Sequence, residues 1–313
     1  MSKSFAVGIV GARGYAGAEL LSLMEDHPEV QVVYAGSREL AGEPVPHVEG
    51  LTFGSLDAEG VSRLGLDAIF LALPDGVGKQ FVSSLGSDSA IIDISFDHRL
   101  DAGWAYGLPE LFRGKIAGSN RIANPGCYAT AMQLVIAPFV DDLASAPAVF
   151  GVSGYSGAGT TKSPKNDPEN LTDNLIPYRL VGHNHEKEAT HHLGTAVRFM
   201  PHVHPAFRGL IVTAHIPLNR PLSAESAQQR FVERYAHEPL IEIVDDTPEL
   251  RDGSGIPGVV IGGIETSADG RNLVVVAAED NLLKGAAVQA VQNLNLSLGI
   301  DEFTAIPKST DSL

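Results

Sequence analysis

A strand that ends in a glycine-rich turn and restarts as a helix constrains this chain more than any other stretch. Phe5-Ala6-Val7-Gly8-Ile9-Val10 is uniformly apolar, as a parallel strand buried on both faces must be. Gly11-Ala12-Arg13-Gly14-Tyr15-Ala16-Gly17 follows, and Ala18-Glu19-Leu20-Leu21-Ser22-Leu23-Met24 then has amphipathic helical spacing. The glycines stand as Gly-x-x-Gly-x-x-Gly, not Gly-x-Gly-x-x-Gly. The physical demand is the same: a tight turn, backbone close to a pyrophosphate, and a helix N-terminus aimed at it. Gly11, Arg13, Gly14, Tyr15, Ala16 and Gly17 are therefore candidate cofactor contacts.

The next segments extend the pattern. Val30-Gln31-Val32-Val33-Tyr34-Ala35-Gly36 reads as a second strand. Just past it, where a diol-binding acid would favour NAD, stand Ser37 and Arg38, and an arginine there suits the 2′-phosphate of NADP. A solvated loop charge is the plainer reading of Arg38. Asp67 to Pro74 and Ala90 to Ser95 read as further strands, with a helix starting at Gly78 between them. Strands alternating with helices imply a doubly wound parallel sheet. Ligands bind beyond the carboxyl ends of such strands, which places Pro74 and Ser95 near the cofactor. Tyr106-Gly107-Leu108-Pro109-Glu110 reads as a loop.

Composition narrows the class. With 313 residues, 44% apolar and 19% charged, the chain can bury a core in two domains or one large one. A net charge of −16 offers no basic field to nucleic acid. No apolar run is long enough to span a membrane and no signal peptide is visible. One cysteine cannot form an internal disulfide, which fits a reducing cytoplasm.

That cysteine sits in Asn124-Pro125-Gly126-Cys127-Tyr128, between a turn signal and the apolar run Ala131 to Ala137. This places Cys127 near a helix start, where free N–H groups and the helix dipole favour a thiolate nucleophile. A buried structural cysteine is the competing reading. Ser153-Gly154-Tyr155-Ser156-Gly157-Ala158-Gly159 follows a strand and allows backbone to approach a ligand, or is an ordinary loop. His183-Asn184-His185 admits an acid/base role, a metal site or plain exposure. The acid/base role is favoured because a thiolate needs a proton-transfer partner. Arg208, just before the alternating strand Leu210 to Leu218, is a carboxylate or phosphate clamp or a salt-bridge residue. Ser226 to Tyr235 reads as a helix, and Leu240 to Val244 and Leu273 to Ala278 as strands, giving an α+β second domain on a mostly antiparallel sheet. A helix from Val288 to Ser297 is placed to pack back on the first domain, and residues 304–313 form a polar tail.

Together these stretches resemble the N-acetyl-gamma-glutamyl-phosphate reductases, arginine-pathway relatives of aspartate-semialdehyde dehydrogenase. The carriers are the 11–20 glycine turn and helix start, Tyr106 to Glu110, Asn124 to Tyr128, Ser153 to Gly159, His183-Asn184-His185 and Asp280-Asn281-Leu282-Leu283-Lys284-Gly285-Ala286-Ala287. Two positions depart from the usual pattern: Lys187 stands before Glu188, and Val288 follows Ala287. The resemblance implies a cytoplasmic NADPH-dependent enzyme that reduces N-acetyl-gamma-glutamyl phosphate through a Cys127 thioester, with His185, or His183 in reserve, moving protons. It implies cofactor contacts at Ser37, Arg38, Pro74, Ser156, Gly157 and Asn281. It also implies substrate contacts at Asn124, Arg179, Glu188 and Arg208, no metal, and a homo-oligomer, dimer or tetramer. Residues 1–126 and 285–313 are expected to form the NADP-binding Rossmann domain and 127–284 the catalytic and oligomerisation domain. The alternatives are a reductase of another acyl phosphate, aspartyl or aminoadipyl, and a non-catalytic NADP-binding sensor.

Overall fold

The computed structural model describes residues 4–85 and 88–307. Residues 308–313 of the expected polar tail lie outside them. The chain divides into two compact units. One comprises the residues up to Gly126 together with Ala286–Ile306, and the other is Cys127–Gly285.

In the first unit the strands are β1 (Phe5–Val10), β2 (Val30–Gly36), β3 (Ala68–Leu71), β4 (Ala90–Asp93), β5 (Ala105–Tyr106) and β6 (Arg121–Ala123). They form one parallel sheet in the order β2-β1-β3-β4-β6-β5. The order reverses between β1 and β3, the switch point at which such sheets bind ligands. Between the strands run α1 (Tyr15–Met24), α2 (Ala58–Ser62), α3 (Gly78–Leu85) and α4 (Pro109–Ile116). Val7, Ile9, Ile69, Phe70, Leu71, Ile91, Ile92 and Ile122 are fully buried, which explains why β1 and β3 are apolar throughout, whereas the edge strand β2 alternates over Val30 to Val33. The expected loop at Tyr106 to Glu110 is corrected. Tyr106 ends β5, and Pro109 opens α4 at a first-turn position where its missing N–H costs nothing, with Glu110 beside it.

The returning helix Val288–Leu298 packs on α1, α4 and β4. It is buried all round from Val288 to Asn295, including four amides. Those amides are bonded internally: Gln289 and Asn293 both donate to Gly107 O (2.5 and 3.0 Å), Gln292 to Glu302 Oε1 (2.8 Å) and Asn295 to Glu302 O (3.1 Å). Buried amides are tolerable only when so bonded.

The second unit opens with α5 (Cys127–Ile136) and continues through β7 (Ala148–Gly154), α6 (Pro168–Leu171), β8 (Ile176–Pro177), α7 (Asn184–Leu193), β9 (Arg198–His204) and β10 (Leu210–Pro217). It ends with α8 (Ala224–Arg234), β11 (Ile241–Ile243), α9 (Leu250–Gly253), β12 (Val259–Thr266) and β13 (Asn272–Glu279). The strands form a mixed sheet in the order β11-β12-β13-β10-β7-β9-β8. β12–β13, β13–β10, β10–β7 and β9–β8 pair antiparallel, while β11–β12 and β7–β9 pair parallel. α5 lies on β10 and β13, and α8 on β12.

Candidate active site

In the first unit, Gly11, Arg13, Gly14, Tyr15, Ala16, Gly17, Ser37 and Arg38 gather at the carboxyl ends of β1 and β2. Gly11 has φ +88°, and a Cβ there would collide with Ala72 O; a Cβ on Gly17 would stand 2.5 Å from Gly11 O. Only glycine fits either place. α1 starts with Gly14 as a cap that has no side chain, and its first turn carries no acid. No cap side chain or first-turn acid opposes an anion at this helix start, and the cradle fits a dinucleotide pyrophosphate. Pro74 follows β3 and is exposed; Ser95 follows β4 and is buried, donating its hydroxyl to Asp93 Oδ2 (2.9 Å). Burial raises the Asp93 carboxyl above its ordinary range, and the bonds from Ser95 oppose that rise.

Asn124, expected as a substrate contact, is held within the first unit. It is fully buried, its Oδ1 accepting from Asn293 (2.8 Å) and its Nδ2 donating to Ala286 O (3.2 Å) and Pro125 O (3.4 Å). Arg99, also buried, donates Nε to the Asn124 carbonyl (2.8 Å) and a further N–H to Ile94 O (2.6 Å). The amide therefore braces the turn from inside. Nothing local in the sequence marks Arg99, because its partner lies 25 residues away.

In the second unit, Cys127 is the first residue of α5, partly exposed, with no acid in the helix's first turn. That position lowers the cost of a thiolate. Gly285 makes room for it, since a Cβ at Gly285 would come within 2.6 Å of Cys127 Cβ and 3.0 Å of Glu279 Oε1. The two histidines occupy the start of α7. His183 caps it, its Nδ1 accepting the His185 N–H (3.1 Å). Nδ1 thus serves as the acceptor that closes the cap, and only Nε2 of this ring is left to face elsewhere. His185 lies in the first turn with its ring 4.8 Å from His183 and 6.0 Å from Tyr128, the neighbour of the thiol. Glu186 reaches back to Gly182 N (3.0 Å) and Phe199 N (3.0 Å) and pins the helix start. Glu188, one turn beyond His185 on the same face of α7, is fully buried.

Two phenols complete the surroundings. Tyr128 is buried and donates to His202 O (2.7 Å); Tyr178 follows β8, hydrogen-bonds Tyr128, and lies 5.6 Å from His183 ring to ring. Burial above all raises both phenols above their ordinary value; Tyr178 and then Cys127 add to the rise at Tyr128, and Cys127 adds to it at Tyr178. Neither stands out in the sequence. Tyr178 reaches the site only because β8 pairs with β9, through Ile176–Val203 and Pro177–His202.

Of the other expected contacts, Ser156 and Asn281 meet, Asn281 Nδ2 donating to Ser156 Oγ (2.8 Å) and its Oδ1 accepting from Gly209 N (3.0 Å). Gly157 beside them is exposed. Arg208 pairs with Asp280 (Nε–Oδ2 3.3 Å). Arg179 is exposed at φ +42°. Among the described residues no three His, Cys, Asp or Glu side chains group as a metal site.

Known proteins match this arrangement along the chain. The family profile described as semialdehyde dehydrogenase, NAD binding domain, matches residues 6–119, and semialdehyde dehydrogenase, dimerisation domain, matches 127–281. The N-acetyl-gamma-glutamyl-phosphate reductase of Xanthomonas campestris pv. campestris strain 8004 is 53% identical over 308 residues, 96% of this chain and 98% of that protein. The protein of the same name from Stenotrophomonas maltophilia strain R551-3 is 52% identical over 97% and 98%. Among solved structures, aspartate semialdehyde dehydrogenase II of Vibrio cholerae, complexed with ASA, superposes with a TM-score of 0.77 at 20% identity, covering 95% of this chain and 99% of that one. The Candida albicans aspartate semialdehyde dehydrogenase with NADP gives 0.74 at 17%, covering 94% and 98%. The chain belongs to the semialdehyde dehydrogenase family, among its N-acetyl-gamma-glutamyl-phosphate reductases.

Proposed function

We propose that the protein reduces N-acetyl-gamma-glutamyl phosphate to N-acetylglutamate 5-semialdehyde and phosphate with NADPH, a step of arginine biosynthesis. The observation that carries the chemistry is Cys127 at an acid-free helix start in the same unit as the capped His183–His185 pair. The substrate follows from the names of relatives half identical along nearly the whole chain.

The Cys127 thiolate attacks the acyl carbon; the C–O bond to phosphate breaks and a thioester remains. His185 takes the thiol proton, since the Nδ1 lone pair of His183 is engaged in the helix cap. The Gly11–Gly17 cradle and the Ser37-Arg38 edge would hold NADPH, which would supply hydride to the thioester carbon. The resulting thiohemiacetal returns its pair to carbonyl, the C–S bond breaks, and His185 returns the proton to the thiol. Glu188, one turn on from His185, helps to hold the substrate. Arg208, Arg179, Pro74, Ser95, Ser156, Gly157 and Asn281 serve as the remaining contacts.

The protein works in the cytoplasm as a homo-oligomer. Among the described residues no helix is long and apolar enough to cross a membrane. On the sheet of the second unit, Phe150 and Val152 of β7, Met200 and His202 of β9, and Ile211 and Thr213 of β10 share one incompletely buried face. A second copy is the natural cover for that face.

The test is the reverse reaction. Protein, NADP⁺, phosphate and N-acetylglutamate semialdehyde should give phosphate-dependent NADPH absorbance, and aspartate semialdehyde should give none. Activity with aspartate semialdehyde alone would overturn the substrate and keep the mechanism.

A further inference from the structure

Two loops meet at the carboxyl edge of the parallel sheet. The turn after β1 carries Arg13, and the segment after β2 carries Ser37, Arg38 and Glu39. Backbone bonds join them: Gly11 N and Ala12 N both donate to Gly36 O (3.1 and 3.0 Å). Ser37 Oγ accepts from Leu40 N (3.1 Å), forming a small turn that leaves the Glu39 side chain 69% exposed. Across the seam Arg13 Nη2 meets Glu39 Oε1 at 3.0 Å.

The chemistry of this edge is contradictory. In dinucleotide-binding sheets a carboxylate just past the second strand accepts from the ribose diol and selects NAD, whereas a guanidinium there accommodates the 2′-phosphate and selects NADP. This chain places one carboxylate and two guanidiniums at the same edge. A free Glu39 would repel a 2′-phosphate. Its neutralisation does not come from the neighbouring Arg38 but from the glycine turn, through Arg13.

We propose that the Arg13–Glu39 pair is the coenzyme selector of this protein. Arg13 masks the carboxylate before NADP(H) arrives and gives its guanidinium to the 2′-phosphate when the coenzyme is bound. An exposed ion pair is weak, so the guanidinium is transferable. A phosphate near two negative charges with three acceptor oxygens competes well against one carboxylate. The inference rests on the nicotinamide-cofactor reading above and assigns the choice of coenzyme to a residue of the phosphate loop, with Arg38 in support.

Calorimetric titration of NADP⁺ and of NAD⁺ into the full chain tests it, without turnover. Arg13→Ala should weaken NADP⁺ about tenfold or more and leave NAD⁺ unchanged or tighter, because Glu39 is unmasked for the diol. Glu39→Gln should tighten NADP⁺ about two- to fivefold and weaken NAD⁺. Both side chains are exposed, so thermal melting of each variant should match the parent. Parallel losses for both coenzymes in Arg13→Ala, or no change in their ratio, would overturn the selector. A parent protein that binds neither coenzyme would sink the cofactor reading itself. A parent that prefers NADP⁺, beside an Arg13→Ala variant with the same preference, would sink only the selector.

Discussion

At the scale of single residues the proposed reaction rests on Cys127 and the two histidines, and the structure places the two rings differently. His183 accepts a backbone N–H at Nδ1, so protonating that nitrogen would remove the α7 cap; His185 lies within the first turn instead of at the cap. His185→Gln should therefore lower kcat by about 10²–10⁴-fold with little change in melting temperature. His183→Ala should cost about 1 kcal/mol of stability and a smaller share of turnover. Equal kinetic losses with equal melting temperatures would remove the distinction. Cys127→Ala should abolish turnover while NADP⁺ still binds; calorimetry beside the absorbance assay checks both. Cys127 was legible because a thiol after Pro-Gly and before an apolar run falls at a helix start, where the dipole favours its anion. Tyr178, Tyr128 and Arg99 were not, since each acts through a partner brought near by pairing of distant strands or turns. Asn124 shows the converse: its place beside Cys127 in the sequence gives no hint of its bonds to Asn293 and Ala286.

Among the elements, the wide turn Leu283–Ala287 before the returning helix matters for the thiol. Such π-type turns recur at functional sites because they displace backbone from regular helical register. Here the turn brings Gly285 against the start of α5, where any side chain would meet Cys127 Cβ at 2.6 Å. Gly285→Ala should keep the fold and NADP⁺ affinity but displace the thiol. Iodoacetamide alkylation of Cys127 should change rate, and kcat should fall about tenfold or more, by the sensitivity of catalysis to small misplacements. Unchanged alkylation and turnover would show that the neighbouring segment simply shifts. The parallel strands were readable because burial on both faces makes them uniformly apolar. α7, β9 and β12 were not readable, for physical reasons. α7 reads Asn-His-Glu-Lys-Glu-Ala-Thr-His-His-Leu and is held by caps, not by an apolar stripe. β12 carries Gly262-Gly263, which looks like a turn in sequence and is where its ladder to β13 shifts register. β9 contains Pro201, which breaks the strand pattern; its carbonyl faces β8, accepting from Tyr178 N (3.2 Å). β8 is only two residues long, so the N–H that proline lacks on that side is lost from little ladder.

On the scale of the whole molecule, the sheet of the second unit is unequally covered. Helix α5 lies on one face, over β10 and β13. On the other face the alternate residues Phe150, Thr213 and Met200 stand in register across β7, β10 and β9, with Val152, Ile211 and His202 in the next row. Phe150 is 40% exposed, with the His202 ring tilted against it at 4.3 Å. A largely apolar row of this kind on a mixed sheet is costly to leave in water, and a two-fold copy placing the same row opposite itself removes both from solvent at once. The net charge of −16 opposes such association at long range, and these six residues include no acid, so repulsion is screened by salt while the apolar contact is not. Phe150→Asp would put a carboxylate against its own image and should convert the assembly to a species of half the mass in light scattering. Because Phe150 lies on the side of β7 away from α5, the far-ultraviolet circular dichroism should be unchanged. Raising salt should strengthen the parent assembly and fail to restore the variant. A parent that scatters as a single chain at every salt concentration would leave this face without a partner copy, and an unchanged mass in the variant would place the contact on another surface.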